Sequence, residues 1–250
     1  MISIAKIIVM FISIVLTLAI PSILIITLRK KYKVSYKALL VGAIAFFVAV
    51  IILEGFINYY LLNKNIVIGK FIKDNPFIFV LYGAFMAGIF EELARFVCFK
   101  FILKKENRVY DALAYGLGHA GLEILIVYAI TMIIQIVLVI LINKGVSIDG
   151  SLISNLQQTS IFINILAALE RGFVLLIQLG LTLLVFKAVK EKSIFYLICA
   201  ILFHAGVDFI PAMYQTGLIS NLFIVEGYIL ICSVISFFYI RNTLKDKKNI

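Results

Sequence analysis

The sequence has no tryptophan, two histidines, three prolines and three cysteines, and only 14% of its 250 residues carry charge. So little charge cannot coat a water-soluble globule of this length, whose surface needs polar cover. The cysteines, Cys98, Cys199 and Cys232, each lie inside an apolar stretch. An odd, scattered set builds no disulfide framework, and such cysteines read as packing residues. No repeat, low-complexity tract or linker interrupts the chain, so residues 1–250 read as a single integral membrane domain. The zincin pattern HExxH is absent, and neither histidine has a second one on its own stretch.

What is present is apolar. Hydrophobic residues make up 64% of the chain and mean hydropathy is +1.14. Twelve tyrosines and 21 phenylalanines are available for interfacial belts. A helix that crosses the bilayer core needs about 20 apolar residues. Seven stretches qualify, at about 4–28, 38–62, 77–103, 111–143, 160–187, 193–213 and 217–240. The predicted fold is therefore an all-α membrane protein, a polytopic bundle of about seven transmembrane helices. The fourth stretch is longer than one crossing, so tilt or extension past the bilayer is expected. Pro21 is expected to kink the first stretch, and Pro211 to end or bend the sixth. The first stretch lacks a small-residue cleavage site and is too long for a signal-peptide core, so it is expected to remain.

The net charge of +10 follows from the loops. Arg29, Lys30, Lys31, Lys33 and Lys37 follow the first stretch, and Lys100, Lys104, Lys105 and Arg108 surround the end of the third. Lys187, Lys190 and Lys192 follow the fifth, and Arg241, Lys245, Lys247 and Lys248 sit in the tail. The opposite side holds only Lys6, Lys64, Lys70, Lys73 and Lys144. This bias predicts a multi-pass protein of the cell membrane with its N-terminus outside and its C-terminus in the cytoplasm. It also explains the basic charge without a nucleic-acid partner. Residues 144–159 form the one sizeable polar loop, on the outer side.

Ionisable residues at the centre of a membrane helix cost about 2.5–3.5 kcal/mol each on insertion scales. This chain keeps Glu54 in its second stretch, Glu91, Glu92 and Arg95 in its third, and His119 and Glu123 in its fourth. Glu170 and Arg171 follow in the fifth, then His204 and Asp208 in the sixth. At about 1.5 Å per residue, Glu91 and Glu123 lie roughly 18 Å from the cytoplasmic end, His204 roughly 16 Å and His119 roughly 12 Å. Asp208 lies a turn further out. Three of the stretches carry an i,i+4 polar pair: Glu91 with Arg95, His119 with Glu123, and His204 with Asp208. Gly116, Gly118 and Gly121 surround His119, and Gly88 lies a turn before Glu92, so neighbouring backbones are expected to approach closely there.

These side chains suit hydrolysis of a peptide bond. The reaction needs an activated water, a base and donors for a developing oxyanion. Glu91 or Glu92 can serve as base, a histidine can orient the water or pass a proton to the leaving amine, and His204 with Asp208 can serve the oxyanion. Arg95 can keep one of the adjacent glutamates ionised. No resident cofactor is predicted. A divalent metal is the competing chemistry, with His119, His204 and Glu91 as its ligands.

The residues resemble the YhfC family, which is related to PrsW-type proteases and more distantly to the CPBP/ABI superfamily that includes the CAAX endopeptidases. Glu91-Glu92-Leu93-Ala94-Arg95 is similar to its EExxR motif, and Gly118 to Glu123 to its GHxGxE motif. Glu170-Arg171 resembles its ER motif, and His204 to Asp208 its HxxxD motif. The resemblance spans roughly 80–240. It implies an intramembrane endopeptidase of glutamic type acting on a membrane-associated peptide or protein. Glu91 and Glu92 then supply the base, His119 orients the water, and His204 with Asp208 stabilises the oxyanion. Arg95 and Glu123 orient the site, and Glu170 and Arg171 support it. Two departures stand out. The CAAX enzymes have EExxxR, one residue longer, and asparagine where this chain has Asp208.

Each feature also has a plainer reading. Glu91, Glu92 and Arg95 can lock two helices together, and both histidines can be satisfied core residues. Adjacent residues point about 100° apart on a helix, so Glu170 and Arg171 are expected to pair with other helices. Glu54, with Asn58 a turn on, reads as packing or pore lining. A non-catalytic scaffold of the same fold, as the distantly related gamma-secretase scaffold subunit suggests, and a proton-coupled carrier are the alternatives to an enzyme.

Overall fold

The structure, a computed structural model, describes residues 2–246. Among these, seven helices are long and apolar enough to cross a membrane, and no strand occurs. They are α1 (Ile4–Tyr32), α2 (Tyr36–Lys64), α4 (Pro76–Ile102), α5 (Val109–Asn143), α7 (Ile161–Lys190), α8 (Ile194–Gln215) and α9 (Leu222–Asp246). Two short helices, α3 (Ile66–Asp74) and α6 (Gly150–Gln158), lie between them. Residues 144–159 are thus not simply a loop. Asp149 accepts from the amides of Ser151 and Leu152 at 2.9 and 3.3 Å and starts α6.

Local chemistry sets the helix starts. Ser3, Ser35, Asn65, Asn75 and Ser160 each cap a helix by accepting from the amide three residues on. Pro76 takes the first position of α4, where a missing N–H costs nothing. Pro211 does not end α8, which runs on to Gln215. A proline is tolerated inside a membrane helix when neighbouring groups take up the freed carbonyl. Pro21 likewise sits within an unbroken α1. The last crossing starts at Leu222 rather than near 217, because Gly217 turns the chain with φ +77° and Asn221 accepts from Phe223 N at 2.9 Å.

The hub of the bundle is α7. In its most apolar window 61% of residues are buried, against 22–33% in the other crossings. It touches α9, α5, α1, α8 and α4. Two other contacts are more extensive than any of these, α4 on α8 and α2 on α5, and both rest on glycine. A Cβ on Gly118 would stand 1.9 Å from Leu39 O, and one on Gly42 2.0 Å from Tyr115 O. On the other seam, a Cβ on Gly88 would stand 2.9 Å from Ile201 O. The small residues that sequence reading placed at close crossings do so at Gly88 and Gly118, and at Gly116, where a Cβ would meet Leu179 Cδ2 and Thr182 Oγ1 of α7 at 2.9 Å. Gly121 does not, its nearest neighbour being Pro21 Cβ at 4.0 Å.

Candidate active site

The two glycine seams bring α4 against α8 and α5 against α2, and α7 fills the space between. Glu91, Glu92 and Arg95 of α4 therefore face His119 of α5 and His204 of α8. All five are buried, with Arg95 and Glu92 at 0% exposure. Wide π-helical turns adjoin this level, at 47–54 ending on Glu54 and at 124–130 following Glu123. Such turns shift side chains off the regular helical register and are frequent at functional sites.

Arg95 organises the cluster. Its Nη1 lies 2.6 Å from Glu92 Oε1, and its Nη2 lies 3.3 Å from Glu91 Oε2 and 2.9 Å from His119 Nε2. Nη2 also donates to Gln178 Oε1 of α7. Gln178 in turn donates from Nε2 to Glu123 at 2.8 Å and to Glu91 at 3.4 Å. His119 Nε2 is 2.8 Å from Glu91 Oε2. Glu92 is closed in from its other side, since His204 Nδ1 lies 2.6 Å from the same Oε1 that Arg95 holds. His204 then turns Nε2 towards Asp208, at 3.5 Å, and Glu91, at 3.9 Å. The two adjacent glutamates thus differ. Glu92 Oε1 is clamped at 2.6 Å by both Arg95 and His204, whereas Glu91 Oε2 is held more loosely by Arg95 at 3.3 Å and shared with His119 and Gln178.

Ligand atoms of Glu91, His119 and Glu123 all lie within 4.8 Å of one another. Two carboxylates and one imidazole are a donor set of the kind divalent metals take. The set fits such an ion, with Glu123 in the place that sequence reasoning gave to His204. His204 is not part of this set; its Nδ1 meets Glu92 at 2.6 Å and its Nε2 lies 3.9 Å from Glu91 Oε1.

Glu170 and Arg171 pair with each other, not with other helices, because the long arginine folds back onto its neighbour. Their position on α7 still matters: Arg171 is close enough to act electrostatically on Glu123 and Asp208. Glu54 accepts from Asn58 Nδ2 at 3.2 Å, and Tyr82 OH donates to Asn58 Oδ1 at 2.5 Å. It also feels the charges of Glu91, Asp208 and His204, so it borders the cluster rather than standing apart. Sequence reasoning missed Gln178 and Glu226. An uncharged amide escapes a search for ionisable side chains, although a glutamine in the middle of an apolar run was a visible signal. Glu226, 8% exposed near the start of α9, acts on Glu170 and Arg171.

A model of a family described as YhfC intramembrane metalloprotease matches residues 14–229. The chain is 32% identical over 231 residues to a Bacillus subtilis (strain 168) protein described as uncharacterized membrane protein YhfC, covering 88% of this chain and 89% of that one. No solved structure matches it. With a family match over most of its length and a relative of this identity, the chain belongs to the YhfC intramembrane metalloprotease family.

Proposed function

We propose that the chain is an intramembrane endopeptidase that hydrolyses a peptide bond of a membrane-associated peptide or protein, with Glu91 as the base. The observation that carries this is the convergence of Glu91, His119 and Glu123 within 4.8 Å beside a Glu92 that is already engaged. A water held among these three side chains gives its proton to Glu91 as its oxygen bonds to the scissile carbonyl carbon. His119 orients the water. His204, fixed at Nδ1 by Glu92, presents Nε2 to the carbonyl oxygen as negative charge grows there. The C–N bond then breaks, and Glu91 passes its proton to the leaving amine. Asp208, 3.5 Å from Nε2, steers the His204 ring by accepting from it until the carbonyl oxygen takes its place. It departs from the asparagine of the CAAX enzymes, and this acceptor role needs no proton on the carboxylate.

The family name and the donor set also favour a metal-assisted hydrolysis, in which Glu91 would be a ligand rather than the free base. Glu91, His119 and Glu123 are the residues that would hold a divalent ion. Bound there, it would polarise the carbonyl and acidify the water. We further propose, from the loop charges, that the N-terminus lies outside the cell membrane and the C-terminus in the cytoplasm.

The test is cleavage of a quenched membrane-peptide library by the purified protein in nanodiscs. Glu91→Gln is expected to cut cleavage by about 10²–10⁴-fold with thermal unfolding close to wild type, and His204→Ala to abolish cleavage. Loss on chelation, restored by added zinc, selects the metal-assisted form. Resistance to chelation selects the carboxylate acting alone. Wild-type cleavage by both variants overturns the proposal.

A further inference from the structure

We infer that the cluster is entered from the end of the bundle that carries the N-terminus, and that the peptide segment entering it bears basic side chains. The second part rests on the peptidase reading, and the first does not.

Packing differs sharply above and below the cluster. On α5 every residue from Asp111 to Ala120 is buried, whereas from Gly121 to Asn143 only Ile124, Tyr128, Ala129, Met132 and Val139 are. On α7 residues 177–183 are all buried, but between Ile161 and Val174 only Asn164 is. Both helices are therefore sealed on the side of the C-terminus and loosely covered on the side of the N-terminus. Aromatic rings complete the seal. Phe46 stands edge-on to His119 at 5.1 Å, and Phe99 packs on Tyr115 at 4.8 Å and Phe186 at 5.3 Å. Asp208 is less covered, its side chain being 39% exposed while those of Glu92 and Arg95 are at 0%.

The open side is acidic. Glu54, Glu123, Glu170, Asp208 and Glu226 all lie on it, and Arg171, which acts on the last four, is already paired with Glu170. A second observation points to a ligand. Glu226 is more than nine-tenths buried and its Oε2 has no hydrogen-bond partner, and Glu54 Oε2 has none either. A buried carboxylate oxygen without a donor is costly. Lysine or arginine side chains flanking the scissile bond would supply both the donors and the charge.

Two experiments test this. Asp208→Cys and, in case that variant misfolds, Tyr82→Cys are made in a background where Cys98, Cys199 and Cys232 are replaced, with Phe186→Cys as comparator. In oriented proteoliposomes a membrane-impermeant maleimide is expected to label the first two only from the N-terminal side. Labelling from the C-terminal side, or of neither variant from either side, overturns the entry route. Next, three fluorogenic peptides differing only in Lys, Gln or Glu beside the scissile bond are compared. The Lys peptide is expected to show at least a tenfold higher kcat/KM than the Glu peptide, and Glu54→Gln and Glu226→Gln to narrow that ratio through KM. Equal rates overturn the basic-peptide assignment while leaving the peptidase reading intact. A wild-type protein that cleaves none of the three defeats both, and the labelling result still decides the entry route.

Discussion

Glu91 and Glu92 are consecutive residues with separable duties. Arg95 Nη1 and His204 Nδ1 both lie 2.6 Å from Glu92 Oε1, so removing that carboxylate strands two buried partners. Glu92→Ala is expected to cost about 3–5 kcal/mol of stability, the usual result of breaking a buried charge pair, measured as lost resistance to thermal unfolding in detergent. Glu91→Gln keeps the shape of the side chain and should cut turnover by about 10²–10⁴-fold, the usual contribution of a general base, with little change in unfolding. Gln178 is the third test. Gln178→Leu leaves Arg95 and Glu123 each short of a partner and should cost about 1–3 kcal/mol together with most of the activity. The ionisable members of the cluster were legible in the sequence because a charge at mid-membrane is expensive enough to be informative. Their division of labour was not. Whether Glu91 or Glu92 is clamped depends on where His204 of α8 lands, and no local pattern carries that.

At the scale of helices, the crossings were legible to within a few residues, since hydropathy over about 20 residues reports the bilayer directly. The wide turns at 47–54 and 124–130 were not, because a π-helical turn reflects how neighbours crowd a helix rather than its own composition. The glycines were half legible. Clustering near His119 signalled a close crossing, but only the packed partner shows which glycine bears it. Gly118→Ala would set a Cβ 1.9 Å from Leu39 O, whereas Gly121→Ala would meet nothing nearer than 4.0 Å. The first should therefore part α2 from α5, displace His119 and destabilise the protein by about 1–3 kcal/mol, as overpacking does. The second should unfold at the wild-type temperature and retain activity. Equal effects from the two substitutions would mean that the α2–α5 seam does not set the position of His119.

Over the whole molecule, charge is distributed by loop rather than by helix, and the distribution is redundant. Basic residues follow α1, α4 and α7 and continue at the C-terminal end of α9, so four separate segments favour one side of the membrane. One of these is also structurally fixed. Arg108 pairs with Asp111 at 2.7 and 2.9 Å and donates to Tyr32 O and Lys33 O at 3.2 and 3.1 Å, and Asp111 accepts from Ser35 N at 2.8 Å. That brace ties the first two basic loops into one surface. Neutralising Arg29, Lys30, Lys31 and Lys33 together should consequently leave the topology unchanged, because the remaining segments still hold it. Protease added to intact spheroplasts is expected to cut within 144–159 and to spare the C-terminal tail, in the wild type and in this variant alike. A tail digested from outside in the wild type would reverse the proposed orientation. The entry route to the cluster, defined relative to the N-terminus, would then face the cytoplasm, with its geometry unaltered.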